Sequence, residues 1–435
     1  MLKVVKFGGS SLANATQFKK VKAIVESDDA RRAVVVSALG KRNKSDAKIT
    51  DMLYLTHAHL KYSVDPSPVW NIIRDCYVEV KEELGLSLDI AKELDDFKAT
   101  FSKQTPEDFL VSRGEYYTAR LMAEYLGFRF VDAKELVKFK FDGTIDNEKT
   151  DEAIQAAIEP GERVVIPGFY GAYPNGEIKL LSRGGSDITG SLIARGLKAT
   201  IYENWTDVSG VLIADPRIVE NPKGVNQITY DELRELSYMG ASVLHEETVF
   251  PVKMMSIPIN IRNTNRPEDQ GTFIQETCDD ESQLITGISG KKNYMSITIT
   301  KDYGVPKIKV VRPVLDILAK YHINVEHIPT SIDTFTLVVP SEQIEGVLYD
   351  VVSEIKTIPN VDNITIDKDM ALIAVVSRNM VSKPGVSGKI FQIVGEAGIS
   401  IKMIAQGAKE ISIIVGVANE DFNGAINALY NNLVK

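Results

Sequence analysis

Leu2-Lys3-Val4-Val5-Lys6-Phe7-Gly8-Gly9-Ser10-Ser11 opens the chain, and its reading decides the fold. Residues 2–7 predict a buried strand. Gly8 and Gly9 stop it, and a helical pattern starts near Ala15. A strand that ends at paired glycines and opens into a helix is a place to hold phosphate. The glycines let the backbone approach an anion, and free N–H groups at a helix start carry roughly half an elementary positive charge toward it. Lys6, one residue before the loop, adds a full positive charge. The pattern is neither the Walker loop nor Gly-x-Gly-x-x-Gly. Taken alone, a strand–Gly–Gly turn is a common α/β connection, so its weight comes from the rest of the chain.

Working outward, the first two-thirds alternates strands (2–7, 33–37, 129–132, 163–166, 199–203) with helices (15–25, 49–61, 68–84, 90–101, 106–126, 151–158, 187–195, 230–238). The strands are short, apolar on both faces and separated by helices. This predicts an α/β fold, a three-layer αβα sandwich with a mostly parallel sheet. Ligands are then expected at the carboxyl ends of the strands. From about residue 283 the pattern becomes β-α-β-β-α, twice: 295–300, 310–320, 322–328, 334–339 and 341–355, with a last strand at 361–367, and then 370–376, 385–397, 401–406, 410–417 and 422–433. Ala319-Lys320-Tyr321-His322-Ile323-Asn324 parallels Gly395-Glu396-Ala397-Gly398-Ile399-Ser400. Two copies of one α+β module argue for tandem ligand-sensing domains; the alternative is a repeat used only for dimer packing.

With 435 residues, two or three domains are expected. A net charge of −9 argues against nucleic acid or an anionic membrane as partner. The two cysteines, Cys76 and Cys278, predict no disulfide framework and a cytoplasmic location. Lys3 and Lys6 interrupt any signal peptide, and no apolar run is long enough to span a membrane.

Four further clusters carry chemistry. Ser37 ends the second strand, and a basic loop (Lys41, Arg42, Lys44, Lys48) leads to Thr50; Ser37 and Thr50, at element ends, are the better ligand candidates. Ser112-Arg113-Gly114-Glu115 lies in a helical run, where Glu115 could receive a substrate ammonium or simply be solvated. Ser182-Arg183-Gly184-Gly185-Ser186-Asp187 is a second glycine-rich turn at a helix start. It combines backbone donors, a carboxylate and a guanidinium suited to bidentate carboxylate recognition. Trp205-Thr206-Asp207-Val208-Ser209-Gly210-Val211, followed by Ala214-Asp215-Pro216-Arg217, lies after a strand. Thr206 and Asp207 can meet a nucleotide or organise magnesium there, and Arg217 can reach phosphate; a tight structural turn is the alternative.

Read in order, Lys6-Phe7-Gly8-Gly9-Ser10-Ser11, Val35-Val36-Ser37-Ala38, Arg113-Gly114-Glu115, the Ser182–Asp187 turn and Trp205-Thr206-Asp207-Val208 resemble an aspartokinase, over nearly the full length. The resemblance implies the amino-acid-kinase fold at 1–282 followed by two ferredoxin-like ACT domains, at 294–367 and at 283–293 with 368–435, residues 284–290 giving the second an extra strand. It implies ATP-dependent phosphorylation of the β-carboxylate of L-aspartate, with Mg2+ and no metal ligands assigned. It makes Lys6 and Asp187 catalytic. It gives ATP to Lys6, Gly8, Gly9, Ser10, Thr206, Asp207, Asp215 and Arg217. It gives aspartate to Ser37, Thr50, Glu115, Arg183 and Asp187. An amino-acid effector, with lysine leading and threonine alone or with lysine as alternatives, would meet Gly304, Ser331 and Asp333, between ACT domains of a homo-oligomer that is at least a dimer. No dinucleotide-binding unit is read, so a monofunctional enzyme is implied. One departure stands out: Gly240-Ala241-Ser242-Val243-Leu244-His245-Glu246 has Ser242 and Glu246 where the family often has lysine and proline, and His245 reads as structural. A kinase for another carboxylate or carbamate, and an inactive ACT sensor, are the rival readings.

Overall fold

The computed structural model describes residues 1–435 except 183, 242, 243, 245, 279–283, 379, 381, 382, 408–410 and 435. Contacts divide the chain into two compact units. The first comprises Met1–Val211, Gly224–Tyr230 and Val243–Cys278, and the second Leu212–Lys223, Asp231–Ser242 and Asp279–Lys435.

Ten strands belong to the first unit: β1 (Lys3–Phe7), β2 (Arg31–Val36), β3 (Arg129–Phe130), β4 (Val164–Pro167), β5 (Tyr170–Ala172), β6 (Ile178–Leu180), β7 (Ile201–Thr206), β8 (Gln227–Thr229), β9 (Ile259–Asn263) and β10 (Thr272–Gln275). Eight form one sheet in the order β3-β4-β2-β1-β7-β9-β10-β8, while β5 and β6 make a separate hairpin. Every pair in the sheet is parallel except β9 with β10. The central strands are apolar on both faces, as a sheet covered on both sides requires: Val4, Val5 and Phe7 of β1 and Val34, Val35 and Val36 of β2 are fully buried. Because β1, β2, β4, β7 and β9 all run one way, the turns after Phe7, Val36, Pro167, Thr206 and Asn263 gather on one edge.

Several elements differ from expectation, each for a local reason. The helix expected over 106–126 is two, Glu107–Val111 and Arg113–Leu126. Ser112 Oγ donates back to the Phe109 carbonyl at 2.7 Å, an attachment that bends helices. The helix expected from 151 begins at Asn147, because the Asp146 side chain caps it by accepting from Lys149 N. The strand expected at 199–203 runs later, over Ile201–Thr206, after Lys198 turns the chain with φ +50°. The hairpin β5–β6, strands β8–β10 and the helices Ala133–Leu136 and Glu246–Lys253 carried no recognised signal.

The second unit holds one antiparallel five-stranded sheet of β11 (Gly287–Lys301), β12 (Thr334–Pro340), β13 (Val361–Val376), β14 (Met403–Ala405) and β15 (Ser412–Val417), in the order β12-β11-β13-β15-β14. The strands expected at 361–367 and 370–376 are a single long strand, with register shifts against β11 between Lys291 and Ser296 absorbing the bend. Gly287–Lys291 pairs with Leu372–Val376, so the short early segment joins the later module's strands. The expected strand at 322–328 is absent: the isolated bridge His327–Val338 forms there, and a second, Thr330–Phe335, lies just beyond it. The helix expected over 341–355 breaks into Ser341–Ile344 and Leu348–Lys356 around Gly346. Ile297, Ile299, Val310, Val314, Leu337 and Val351 lie in one core on this sheet. Among the described residues, no helix is long and apolar enough to cross a membrane.

Candidate active site

The first glycine turn is pinned between its neighbouring strands. Gly8 N donates to Trp205 O at 3.1 Å, and Ser37 N donates to Phe7 O at 3.1 Å. Gly9 and Ser10 lie in a short 3₁₀ turn, Gly9–Leu12, whose Ser11 hydroxyl is 2.7 Å from that of Thr264. Gly40, on the turn after β2, closes on it: a Cβ there would lie 2.1 Å from Gly9 O. The two loops therefore approach backbone to backbone, which only glycine permits.

The second turn enters the helix Gly185–Gly196 through Gly184 at φ +76°. It is seated by the loop after β4. Phe169 carries φ +78°, uncommon for a bulky side chain, and its N–H donates to Thr189 Oγ1 at 3.0 Å. A Cβ on Gly185 would strike the Phe169 ring at 2.5 Å, and one on Gly168 would strike Ser186 at 2.6 Å. This packing places Asp187, in the first helical turn, above β1.

There Lys6 Nζ meets Asp187 Oδ1 at 2.5 Å, with only 8% of the Lys6 side chain exposed. Asn204 Nδ2 donates to the same oxygen at 2.9 Å. Glu115, 4% exposed, comes up from the helix Arg113–Leu126. Burial is the largest influence on its carboxyl and pushes its pKa up to about 8; backbone hydrogen bonds at Ala38 and at Glu115 itself, and the charges of Arg113 and Lys6, pull the other way. Its Oε2 is buried without a hydrogen-bond partner. A buried carboxyl oxygen left unpaired costs about 1–3 kcal/mol, and a cationic ligand would relieve it. Gly114 lets this helix approach the turn after β2, since a Cβ there would lie 3.0 Å from Ala38 Cβ.

Ser37 is half-buried on the same edge, and Thr50 lies in the first turn of the helix Ile49–Lys61. Of the basic loop, Arg42 is bound to Asp46 and Glu79, while Lys41, Lys44 and Lys48 are exposed. Thr206 ends β7 and donates to Asp207 Oδ1 at 3.2 Å; Asn263 Nδ2 donates to Asp207 O and to Ser209 Oγ. Asp215 and Arg217 belong to the second unit and are bonded to each other at 2.6 Å. Arg183, Ser242 and His245 lie outside the described residues. Gly40 and Asn204 were missed by sequence reasoning. Asn204 left one faint trace, a polar Glu203-Asn204 pair in a strand that otherwise reads as buried.

In the second unit, Lys301 Nζ pairs with Asp333 Oδ1 at 2.7 Å, and Lys301 N donates to Asp333 O at 2.9 Å. Ser331 N donates to Thr334 O at 2.8 Å, and the Ser331 carbonyl accepts from Lys307. Gly304, at φ +77°, stands in open space.

The fold and this edge correspond to a known class. The model of the amino acid kinase family matches residues 1–263, and an ACT domain model matches 373–433. Aspartokinase 3 of Bacillus subtilis is 35% identical over 99% of this chain and 98% of its own. The crystal structure of Clostridium acetobutylicum aspartate kinase superposes with a TM-score of 0.95 at 46% identity, covering 99% of this chain and all of its own. Aspartokinase III of E. coli, solved in complex with lysine and aspartate (T-state), superposes with a TM-score of 0.77 at 25% identity over the full length of both. The chain belongs to the amino acid kinase family and, within it, to the aspartokinases.

Proposed function

We propose that this chain transfers the γ-phosphoryl group of ATP to the β-carboxylate of L-aspartate, giving β-aspartyl phosphate and ADP, at the edge where Lys6 meets Asp187. A β-carboxylate oxygen attacks the γ-phosphorus and the bond to the β,γ-bridging oxygen breaks. No side chain need act as nucleophile. The transition state spreads negative charge over the phosphoryl oxygens, so the protein's work is placement and neutralisation. Lys6 supplies the cation between the two substrates, and Gly8, Gly9 and Ser10 cradle the phosphates, with the N–H groups of Gly9 and Ser10 as donors and Gly8, whose N–H is bonded to Trp205 O, leaving room for the anion. Glu115 takes the substrate ammonium; its unpaired Oε2 is the feature that favours a free amino acid as acceptor. Ser37, Thr50 and Arg183 hold the remaining polar ends of aspartate. Thr206 and Asp207 hold the nucleotide.

Mg2+ is usually held by one or two carboxylates together with substrate phosphates, not by a dedicated protein cage. The donor set fits that mode: Asp187 and Asp207 are carboxylates on the phosphate edge. The ion, arriving with ATP, would offset the charge of the triphosphate.

The second unit is read as the effector domain, with 294–367 as one ACT module and 283–293 with 368–435 as the other. The E. coli relative was crystallised with lysine, and lysine is the effector proposed here, at Gly304, Ser331 and Asp333 between ACT modules of a homodimer in the cytoplasm. Such a ligand acts by preferring one state, with a coupling of about 1–3 kcal/mol. The reaction then stands at the head of lysine, threonine and methionine synthesis.

The single observation carrying the catalytic reading is the 2.5 Å contact between Lys6 and Asp187, flanked by two glycine turns on one sheet edge. The test is hydroxamate formation from aspartate, ATP, Mg2+ and hydroxylamine, with glutamate and N-acetylglutamate as rival acceptors. Aspartate alone should react. Preference for another acceptor, or no product from any, would overturn the reading.

A further inference from the structure

We infer that Asn204 is a positioning residue for phosphoryl transfer, acting through Asp187; this rests on the reading of Lys6 and Asp187 as the catalytic pair. Lys6 and Asn204 are direct partners in the parallel β1–β7 register, so their side chains leave the sheet on the same face. The helix Gly185–Gly196 covers that face. Tyr202, two residues earlier on β7, donates its hydroxyl to Asp187 O at 3.0 Å, and a Cβ on Gly190 would meet the Tyr202 hydroxyl at 2.6 Å. Asn204 is 4% exposed.

Asp187 Oδ1 thus receives two donors, Lys6 at 2.5 Å and Asn204 at 2.9 Å. Among the described residues no donor reaches Oδ2, and the side chain keeps 20% of its surface. The terminal torsion of an aspartate is broad, so one ion pair leaves the carboxylate free to turn. A second, directional donor on the same oxygen fixes its plane. Lys6 then engages one oxygen only, keeping its other N–H groups for the phosphoryl oxygens, and Oδ2 is presented outward. An amide does this without adding charge, whereas an apolar residue would let the carboxylate swing both oxygens against the ammonium and neutralise it.

The titratable groups around Asp187 are Lys6 on β1, Tyr202 on β7 and Glu115, which acts on Lys6 from the helix Arg113–Leu126. Beyond them are Glu247, bonded to Ser182, and the Arg195–Asp151 pair at the far end of Asp187's own helix. The experiment compares Asn204→Leu and Asn204→Asp with wild type in the hydroxamate assay, separating kcat from the KM for ATP, with melting curves. Losing a hydrogen bond to a charged group predicts a fall in turnover of about 10-fold or more for Asn204→Leu. Asn204→Asp places like charge beside Asp187 and predicts a larger fall. In both, the fall is in kcat, while the KM for ATP stays within about twofold. Wild-type turnover in either variant overturns the inference, as does a loss carried by the KM for ATP or one explained by a lowered melting temperature alone. Asn204→Asp is isosteric and decides the matter if the leucine variant does not fold. A silent wild type overturns the catalytic reading itself, and this inference with it.

Discussion

Lys6 Nζ lies 2.5 Å from Asp187 Oδ1. The lysine is the penultimate residue of β1, and the aspartate lies in the first turn of the helix that follows the second glycine turn. The pair holds a cation, almost wholly removed from water, at the edge that the two glycine turns flank. In such a place an electrostatic contact to a transferring phosphoryl group is worth far more than in solvent.

Lys6→Ala should therefore reduce turnover by roughly 10²-fold or more, the scale of losing one preorganised transition-state donor. Initial rates at saturating ATP and aspartate measure it, with a melting curve to show the fold intact. Unchanged turnover would remove Lys6 from the mechanism.

Glu115 gives a pH signature. Its carboxyl is raised from 4.5 to about 8, with burial as the first cause, so in the free protein it is protonated below about pH 8. A substrate ammonium needs the carboxylate. The kcat/KM for aspartate should then climb as pH rises toward 8, and Glu115→Gln should flatten that climb while raising KM. Stability runs the other way: a folded pKa above the unfolded one gives stability that is fully present below 4.5 and is lost as pH rises through about 8. Melting curves between pH 5 and 8 should show a smaller decline in Glu115→Gln than in wild type. Equal declines would count against a neutral buried Glu115.

Gly40→Ala tests the contact between loops. The new Cβ would lie 2.1 Å from Gly9 O and 2.4 Å from Gly9 C, and both neighbours are backbone. Overpacking of this kind costs about 1–3 kcal/mol, and the displaced partner is the phosphate turn. A rise in the KM for ATP of about tenfold or more is expected, together with a lower melting temperature. An unchanged KM would detach Gly40 from nucleotide binding.

Asp333→Ala should relieve inhibition by lysine and spare activity measured without effector. Asp333 already compensates Lys301, whose side chain is 6% exposed. The alanine variant therefore also unpairs a cation, and Asp333→Asn, which keeps an acceptor on Lys301, serves as the companion. Dose–response curves with lysine and threonine, singly and together, read the outcome. Full inhibition retained in both variants would move the effector site elsewhere.

Strand–glycine–helix patterns were legible because they are local. Residues 2–11 announced β1 and its turn, 182–187 the second turn, and 49–61, 230–238 and 422–433 the helices that form there. Other features depend on partners remote in sequence. The region 322–328 fails to become a strand because only a single bridge ties it to β12. Residues 361–376 stay one strand because β11 accompanies them throughout. Glu115 reads as any helical glutamate until burial leaves its Oε2 unpaired.

By itself the sequence determined the alternation that makes a covered parallel sheet, the repeated α+β module behind it and the two glycine turns that hold free N–H groups at helix starts. These follow from periodicity and from backbone freedom, which each short segment carries within itself. Only the tertiary structure decided that Asn204 faces Lys6 across two strands, that Gly40 closes on Gly9 and that Asp187 takes both donors on one oxygen. Register and packing set those distances, and both arise from pairing between segments that no single stretch of the chain contains.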